Sequence, residues 1–471
     1  MNTKRTTRST AVIAAVLALV VAACGGDDDS ADSQPEATTA PADTGEPADG
    51  EASDDGSQSA TEDEPAATTV PDTDASVSEE PDTTPTTEAV AVPCDGDPIR
   101  LTMVGTLSGP LAYPSVVEGA EQGREAAIES VNRTCELGRP LVIEVCDDMS
   151  DSNEATRCGR EAKDNGSLAI FGSLGVGDGG PTASGLPAIL GPGSTLFDLT
   201  NEAAYPGSTA VALVLGTVSA AAGTGAEKYL TVALDSASTR AFMGASEGVA
   251  AQLGVDMEVL WFPADTTDFA PVAAQIAQRD ADAIGLVVSN MVPFMNALAS
   301  EGISPNDTPI FTAVDLLPPE VIDEVGDKVD GMYLISQYVA PIDTDNPNIA
   351  LMHQDLAAMG ITVEANQAPS TVRAWSNVWT LVDILQTLSE EELAALDTEM
   401  LVGAFNSVGA IERPEVATID YSAPAFADIE ALASLRMFNR DALIVQVVDG
   451  GYQTVSEFSD VTGPFDLGSG E

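Results

Sequence analysis

From residue 99 onward, short apolar runs alternate with stretches of helical period. The first run, "IRLTMV" at 99–104, reads as a strand that enters a Ser/Gly/Pro loop. In "VVEGAEQGREAAIESVN" (116–132), Val117, Ala120, Ala127 and Ile128 recur at the spacing that lines one helix face. "LVIEVCDD" (141–148) is a second strand, "NEATRCGREAKDNG" (153–166) a second helix, "LAIFG" (168–172) a third strand and "STLFDL" (194–199) a fourth. Further strands are predicted at "YLTVALD", "MEVLWFPAD", "AIGLVVS", "TPIFTAV" and "GMYLISQY", with helices between most of them. "RAWSNVWTLVDILQTL" places Trp375, Val378, Trp379, Val382 and Leu385 on one apolar face, as in a core helix. Strands buried on both faces need such uninterrupted apolar runs, so the pattern predicts parallel sheets flanked by helices. In these sheets ligands bind beyond the carboxyl ends of the strands.

Before residue 94 the material changes. Lys4, Arg5 and Arg8 precede an apolar run from Ala11 to Ala23, the shape of an export signal over 1–23. "VAAC" (21–24) resembles the bacterial lipobox, which makes Cys24 the lipidated first residue of the mature chain and anchors it outside the cytoplasmic membrane. Residues 24–93 are rich in Asp, Glu, Thr, Ser and Pro and hold no aromatic residue. They cannot bury enough apolar surface to offset their ordering entropy, so they read as a disordered acidic tether. Fully stretched, the tether would reach on the order of 200 Å at about 3.3 Å per residue.

That leaves 94–471, too long for one ordinary core, and two lobes are expected. The whole chain has 18 basic and 75 acidic residues; setting aside the three basic ones of the signal and twenty acidic ones of the tether leaves 15 against 55. A net charge near −40 argues strongly against nucleic acid or anionic lipid surfaces as partners. Cys94, Cys135, Cys146 and Cys158 are an even set in an exported chain and suggest disulfides. Three connectivities exist; Cys146–Cys158, which closes a short loop, and Cys94–Cys135 are favoured. Zinc is the alternative, but no C-x-x-C pair supports it, so no metal and no cofactor is expected.

One stretch imitates a cofactor site. In "LAIFGSLGVGDGG" (168–180), Gly175, Gly177 and Gly180 spell G-x-G-x-x-G after a strand, and Asp198 follows about twenty residues on. The motif sits on the third strand, however, and Gly185 and Pro187 interrupt what should be a firm helix. The glycines are better read as bare backbone at a strand end that faces a ligand.

The segments "GTLSGPLAYPSVVEGAEQGREAAIESVN" and "GRPLVIEVCDDMSDSNEATRCGREA" resemble the substrate-binding proteins of branched-chain amino-acid ABC transporters. A G-x-x-S/T-G loop after the first strand, a helix ending A-x-x-x-x-N before G-R, and a D-D-x-S-D run before an Ala-rich helix carry the likeness. It continues through "DFAPVAAQIAQRDADAIGLVVSNMVPFMNALASEGI", opened by Asp268 and Phe269. The resemblance implies a type I periplasmic binding fold: two Rossmann-like lobes, three crossings and an interlobe cleft. The first lobe would comprise 97–215 plus 341–435 and the second 216–340 plus 436–460, with 461–471 a flexible tail. It also implies a monomer that captures a small polar ligand (amino acid, amide or small organic acid) and delivers it to an ABC permease.

By the same resemblance, ligand groups meet the loops after first-lobe strands, here "TLSGP" (106–110), "GSLGVG" (172–177) and "FDLTN" (197–201). Ser108, Tyr113, Ser173, Leu174, Gly175, Leu199 and Thr200 are the first-lobe candidates. Where amino-acid binders offer aromatics and an acid, the second lobe offers Thr239 with Arg240, Asn290, and Asp315. An α-amino-acid ligand is therefore no better supported than an amide or an acid. No catalytic residue is assigned. The single histidine, His353, rules out two-His metal motifs. The G-x-S-x-G match at Gly244–Gly248 falls inside a helical pattern, where Ser246 cannot form a nucleophile elbow. A sensing module without transport and, less favourably, an extracellular hydrolase remain the other readings.

Overall fold

The computed structural model describes residues 94–109, 112–173, 179–288 and 290–467. The expected signal, lipidated Cys24, tether, Leu174 and Gly175 lie outside the described residues. The first sheet is built from β1 (Ile99–Gly105), α1 (Pro114–Thr134), β2 (Leu141–Asp147), α2 (Ser152–Asp164), β3 (Ile170–Phe171), α3 (Gly179–Ser184), β4 (Ala188–Ile189), α4 (Leu196–Thr200) and β5 (Ala204–Tyr205). Its order is β2-β1-β3-β4-β5, all parallel. Local chemistry sets the ends. Pro114 opens α1, where a missing N–H costs nothing. Asp151 caps α2 by accepting from the amides of Asn153 (2.7 Å) and Glu154 (3.2 Å).

The second sheet follows with α5 (Ala210–Gly223), β6 (Lys228–Leu234), α6 (Ala237–Leu253), β7 (Asp256–Phe262), α7 (Ala270–Ala277), β8 (Ala283–Val287), α8 (Met291–Ser300), β9 (Ile310–Ala313), α9 (Pro319–Val325) and β10 (Tyr333–Ser336). The chain then returns to the first sheet with α10 (Pro347–Ala358), α11 (Ser370–Leu385), α12 (Glu390–Ala394) and α13 (Thr398–Ser407), and forms the hairpin β11 (Ala410–Arg413) and β12 (Val416–Asp420). It ends with β13 (Asp441–Val448), β14 (Gly451–Thr454) and β15 (Ser459–Asp460). The second sheet runs β14-β13-β10-β9-β8-β6-β7; β6 to β10 are parallel, and β13 joins β10, β14 and β15 antiparallel. The expected mixed α/β fold with helix-flanked parallel sheets is present.

Three expectations need correcting. "STLFDL" is not a strand. Thr195 accepts from the amide of Asp198 while the Asp198 carboxylate accepts from the amide of Thr195, a capping box that starts α4; the strand is the shorter Ala188–Ile189. Residues 210–215 open α5, which packs on β8, β9, β10 and β13, so they belong with the second sheet, not the first. Residues 461–467 are no loose tail. Val461 and Phe465 are buried, and the Phe465 amide donates to the Ser219 carbonyl (3.2 Å).

Both favoured disulfides are formed. Cys94–Cys135 fastens the entering chain to the end of α1, and Cys146–Cys158 fastens β2 to α2. Trp375, Val378, Val382 and Leu385 are buried as expected of a core helix. Helices α1 and α11 touch closely over the first sheet. An added Cβ at Gly123 would lie 2.2 Å from the Thr371 carbonyl oxygen, so only glycine allows this approach.

The chain passes between the sheets near 206–209, 337–340 and 437–440. One buried amide ties all three passages. The Gln337 Oε1 accepts from the Thr209 amide (2.7 Å), and its Nε2 donates to the Asn439 Oδ1 (2.8 Å). Asn439 in turn donates to the Gly207 carbonyl (3.0 Å).

Candidate functional site

Strand order reverses between β1 and β3 in the first sheet and between β6 and β8 in the second. Ligands of open parallel sheets bind at the carboxyl ends flanking such reversals. On the first-sheet side, the two aspartates at the end of β2, Asp147 and Asp148, shape the loop after β1. Asp147 accepts from the Ser108 hydroxyl (2.6 Å) and the amides of Leu107 (3.1 Å), Ser108 (3.3 Å) and Met149 (2.8 Å). Partial burial pushes its carboxyl up, but these hydrogen bonds outweigh that and hold it below the usual aspartate range. Buried Asp148 accepts from the Thr106 hydroxyl (2.7 Å). Ser173, after β3, donates its hydroxyl to the Val104 carbonyl. Both candidate serines therefore spend their hydroxyl protons on the scaffold in this state. Tyr113 is exposed at the start of α1.

Polar side-chain contacts join the two sides at Ser115–Glu320 and Arg373–Asp315. Ser115 of α1 donates its amide and its hydroxyl to the Glu320 carboxylate of α9, both at 2.5 Å. Arg373 of α11 donates to the Asp315 carboxylate, which follows β9, at 3.0 Å. Arg373 stands between two small cavities. One, about 10 Å³, is lined by Ser208, Asp315, Gln337, Tyr338 and Arg373 among others. The other, about 20 Å³, has Met103, Arg124, Phe171, Gly172, Arg373 and Asn377 in its wall. Each has room for about one water molecule. The Tyr338 hydroxyl is buried beside the Ser208 side chain. Asn377 donates to the carbonyl of Leu190, directly after β4.

Of the sequence candidates, Asp315 is the one that the structure brings into this floor. Arg240 is held by two hydrogen bonds to Asp235 (2.7 and 2.8 Å) and lies 4.3 Å from the Trp261 ring centre. The Asp235 pair keeps its guanidinium protonated more firmly than usual. Thr239 is buried in the cap of α6, with its amide donating to the Ser236 hydroxyl (3.1 Å). Asn290 is exposed at the start of α8, and Thr200 is exposed at the end of α4. Leu199 is buried in the same apolar cluster as Phe426, Leu432 and Leu435, and its carbonyl accepts from the Arg436 amide (2.8 Å). Since β4 ends at Ile189, the loop at the sheet edge is 190–194, and the 197–201 segment lies one helix beyond it. Ser246 is buried within α6, and the His353 ring nitrogen Nε2 meets the Pro341 carbonyl (2.8 Å).

Sequence reasoning missed Arg124 and Arg373. Arg124 sits at the 3/4 spacing of Ala120, Ala127 and Val131, so a cation on an apolar stripe was the available signal. Arg373, Asn377 and Thr380 form a similar polar line along the buried face of α11. Among the described residues, no group of three or more His, Cys, Asp or Glu side chains is placed to hold a metal ion.

A profile of the periplasmic binding proteins matches residues 98–451. Solved structures share the fold at low identity. A leucine-binding protein from Thermotoga maritima aligns over 77% of this chain and 99% of its own, at 14% identity and a TM-score of 0.58. A solute-binding protein of an R. palustris ABC transporter, in complex with benzoate, aligns over 79% and 98% at 16% identity and TM-score 0.55. A fatty acid ABC transporter substrate-binding protein from Thermomonospora curvata aligns over 80% and 96% at 17% identity and TM-score 0.58. No curated protein matches the chain in sequence.

Proposed function

This chain belongs to the periplasmic binding proteins, a family of extracytoplasmic solute receptors rather than enzymes, and on that premise we propose that it is a lipid-anchored receptor serving an ABC permease. It captures a small ligand between its two sheets and presents the closed form to the permease. The observation that carries this reading is the cleft floor. Two carboxyl-terminal sheet edges meet there through Arg373–Asp315 and Ser115–Glu320, above three passages knit by Gln337 and Asn439. Contacts of that kind can break and re-form as the lobes open on a hinge. Lipidation at Cys24 keeps the receptor at the membrane, and the tether lets it reach the permease.

The test is extraction of small molecules from the native, membrane-derived protein, identified by mass spectrometry and returned to stripped protein in calorimetry. A stoichiometric ligand supports the reading; turnover of the returned ligand would replace it with an enzyme. Cross-linking in membranes separates transport from sensing, because ligand-dependent capture of a permease is expected only for transport. Labelling with palmitate should disappear in Cys24→Ala.

A further inference from the structure

Among the described residues, two buried carboxylates are well matched. Glu415, fully buried, accepts from Arg413 (2.7 Å), Ser376 (2.8 Å) and Asn348 (2.6 Å). Asp355 accepts from the Trp375 ring nitrogen (3.0 Å) and from Arg133 (3.4 Å). Arg124 breaks the pattern. It is 4% exposed, and a guanidinium carries five N–H donors. Its partners are the Met103 sulfur at 3.5 Å and the carboxylate of its neighbour Glu125 at 3.3 Å, a side chain 57% exposed to water. Burial pulls the Arg124 guanidinium below the usual arginine range, only partly offset by Glu125 and Glu121. A buried, poorly paired charge is destabilising unless something else completes it.

Arg124 does not stand alone. Arg373, 8% exposed, lines the same cavity, so two arginines border one space in a chain that is otherwise strongly acidic. Among the described residues the one counter-charge in these walls is Asp315, which comes from the other side of the cleft and keeps 47% of its side chain exposed. When the lobes part, Arg373 loses that partner. Each arginine thus has one carboxylate partner, Glu125 for Arg124 and Asp315 across the cleft for Arg373, and each guanidinium has more N–H donors than those partners fill.

We infer that the cleft ligand is an organic anion of single negative charge, whose carboxylate is held between Arg124 and Arg373. The inference deepens the receptor reading and rests on it. Paired N–H groups of guanidinium match a carboxylate's two oxygens in geometry as well as charge. A zwitterionic amino acid would bring an ammonium as a third cation beside two arginines, in walls where the described anion is Asp315 alone. The buried Tyr338 hydroxyl, beside Ser208 in the adjoining cavity, offers a donor to a second polar group of the ligand. Since each cavity has room for about one water, entry requires the lobes to open and the Arg373–Asp315 contact to break.

The test is calorimetry on the full lipidated chain in detergent, after stripping. The acids are benzoate, 3,4-dihydroxybenzoate, isovalerate and octanoate; the comparison compounds are leucine, glutamine, urea and benzamide. At least one acid should bind, with its matched neutral or zwitterionic compound at least tenfold weaker. Arg124→Met and Arg373→Gln should each weaken the acid about 10- to 100-fold, the effect of losing a charge-assisted pair. Arg124→Lys should restore part of it, and Arg279→Gln at the surface should change nothing. Arg124→Met should also raise the melting temperature of the stripped protein, which a merely structural arginine would lower. Binding of leucine, glutamine, urea or benzamide with no acid bound overturns the anion inference and leaves the receptor reading standing. Silence across the whole panel, with no ligand extracted from native protein, overturns both.

Discussion

The close approach of α1 to α11 places Arg124 and Arg373 on one cavity, and a single methyl group tests it. Gly123→Ala adds a Cβ that would sit 2.2 Å from the Thr371 carbonyl oxygen and 3.0 Å from its carbonyl carbon. Ordinary carbon contacts begin near 3.5 Å, so the helices must separate by on the order of 1 Å. The neighbour is backbone, and no rotamer change relieves the clash. Replacing glycine in a helix interior gains about 1 kcal/mol of propensity, while overpacking of a close-packed interface costs about 3 kcal/mol at the upper end. The net expectation is a loss of about 2 kcal/mol. Gly248→Ala in α6 is the matched control, because nothing lies within 4 Å of the Cβ it adds. It should gain about 1 kcal/mol. At roughly 2 °C per kcal/mol for a chain of this size, calorimetry should show Gly123→Ala about 4 °C below and Gly248→Ala about 2 °C above the parent. If Gly123→Ala is neutral or stabilising, the helices are not in backbone contact and the two-arginine cavity is wrongly drawn.

Three other outcomes are expected. Glu415→Ala should cost about 3 kcal/mol in urea denaturation, because it strands the nearly buried Arg413 and the partners Ser376 and Asn348; a loss below 1 kcal/mol would mean that water replaces the carboxylate. In the chain-entropy account, removing Cys146–Cys158 should cost about 3 kcal/mol and removing Cys94–Cys135 about 4 kcal/mol, the longer loop losing more; Cys→Ala pairs measured by thermal melting would contradict this by reversing the order. Burial pushes the phenols of Tyr229 and Tyr338 up to about 12, above an unfolded value near 10. Their stabilising contribution is therefore complete below pH ~10 and is lost as pH rises through ~12. Absorbance at 295 nm should show a late phenolate step that shrinks in Tyr338→Phe; an unchanged titration would place that hydroxyl in water.

The parallel sheets were legible because each strand buries both faces and so writes itself as an apolar run, as "YLTVAL" does in β6. The misread strand lies where pairing is minimal: β4 is two residues long. The pairing of β13 with β10, Leu443 opposite Ser336, is remote in sequence, while β14 joins β13 in a local hairpin. A one-dimensional pattern carries no record of such partners. The same limit explains the site. Ser108, Ser173 and Thr239 offer hydroxyls in sequence, and the fold gives all three hydroxyls protein partners. Arg240 was chosen for its charge, and Asp235, five residues earlier, neutralises it. Arg124 and Arg373 lie 249 positions apart on two helices, and nothing local links them. What the sequence does hold is an inconsistency: a cation on the apolar stripe of α1, kept where alanine would pack. Natural sequences break local rules mainly where function asks for it. The residues that fit their pattern worst therefore pointed to the cleft more directly than those that matched a motif, and a reading built on Arg124 and Arg373 stands or falls on the ligand's charge.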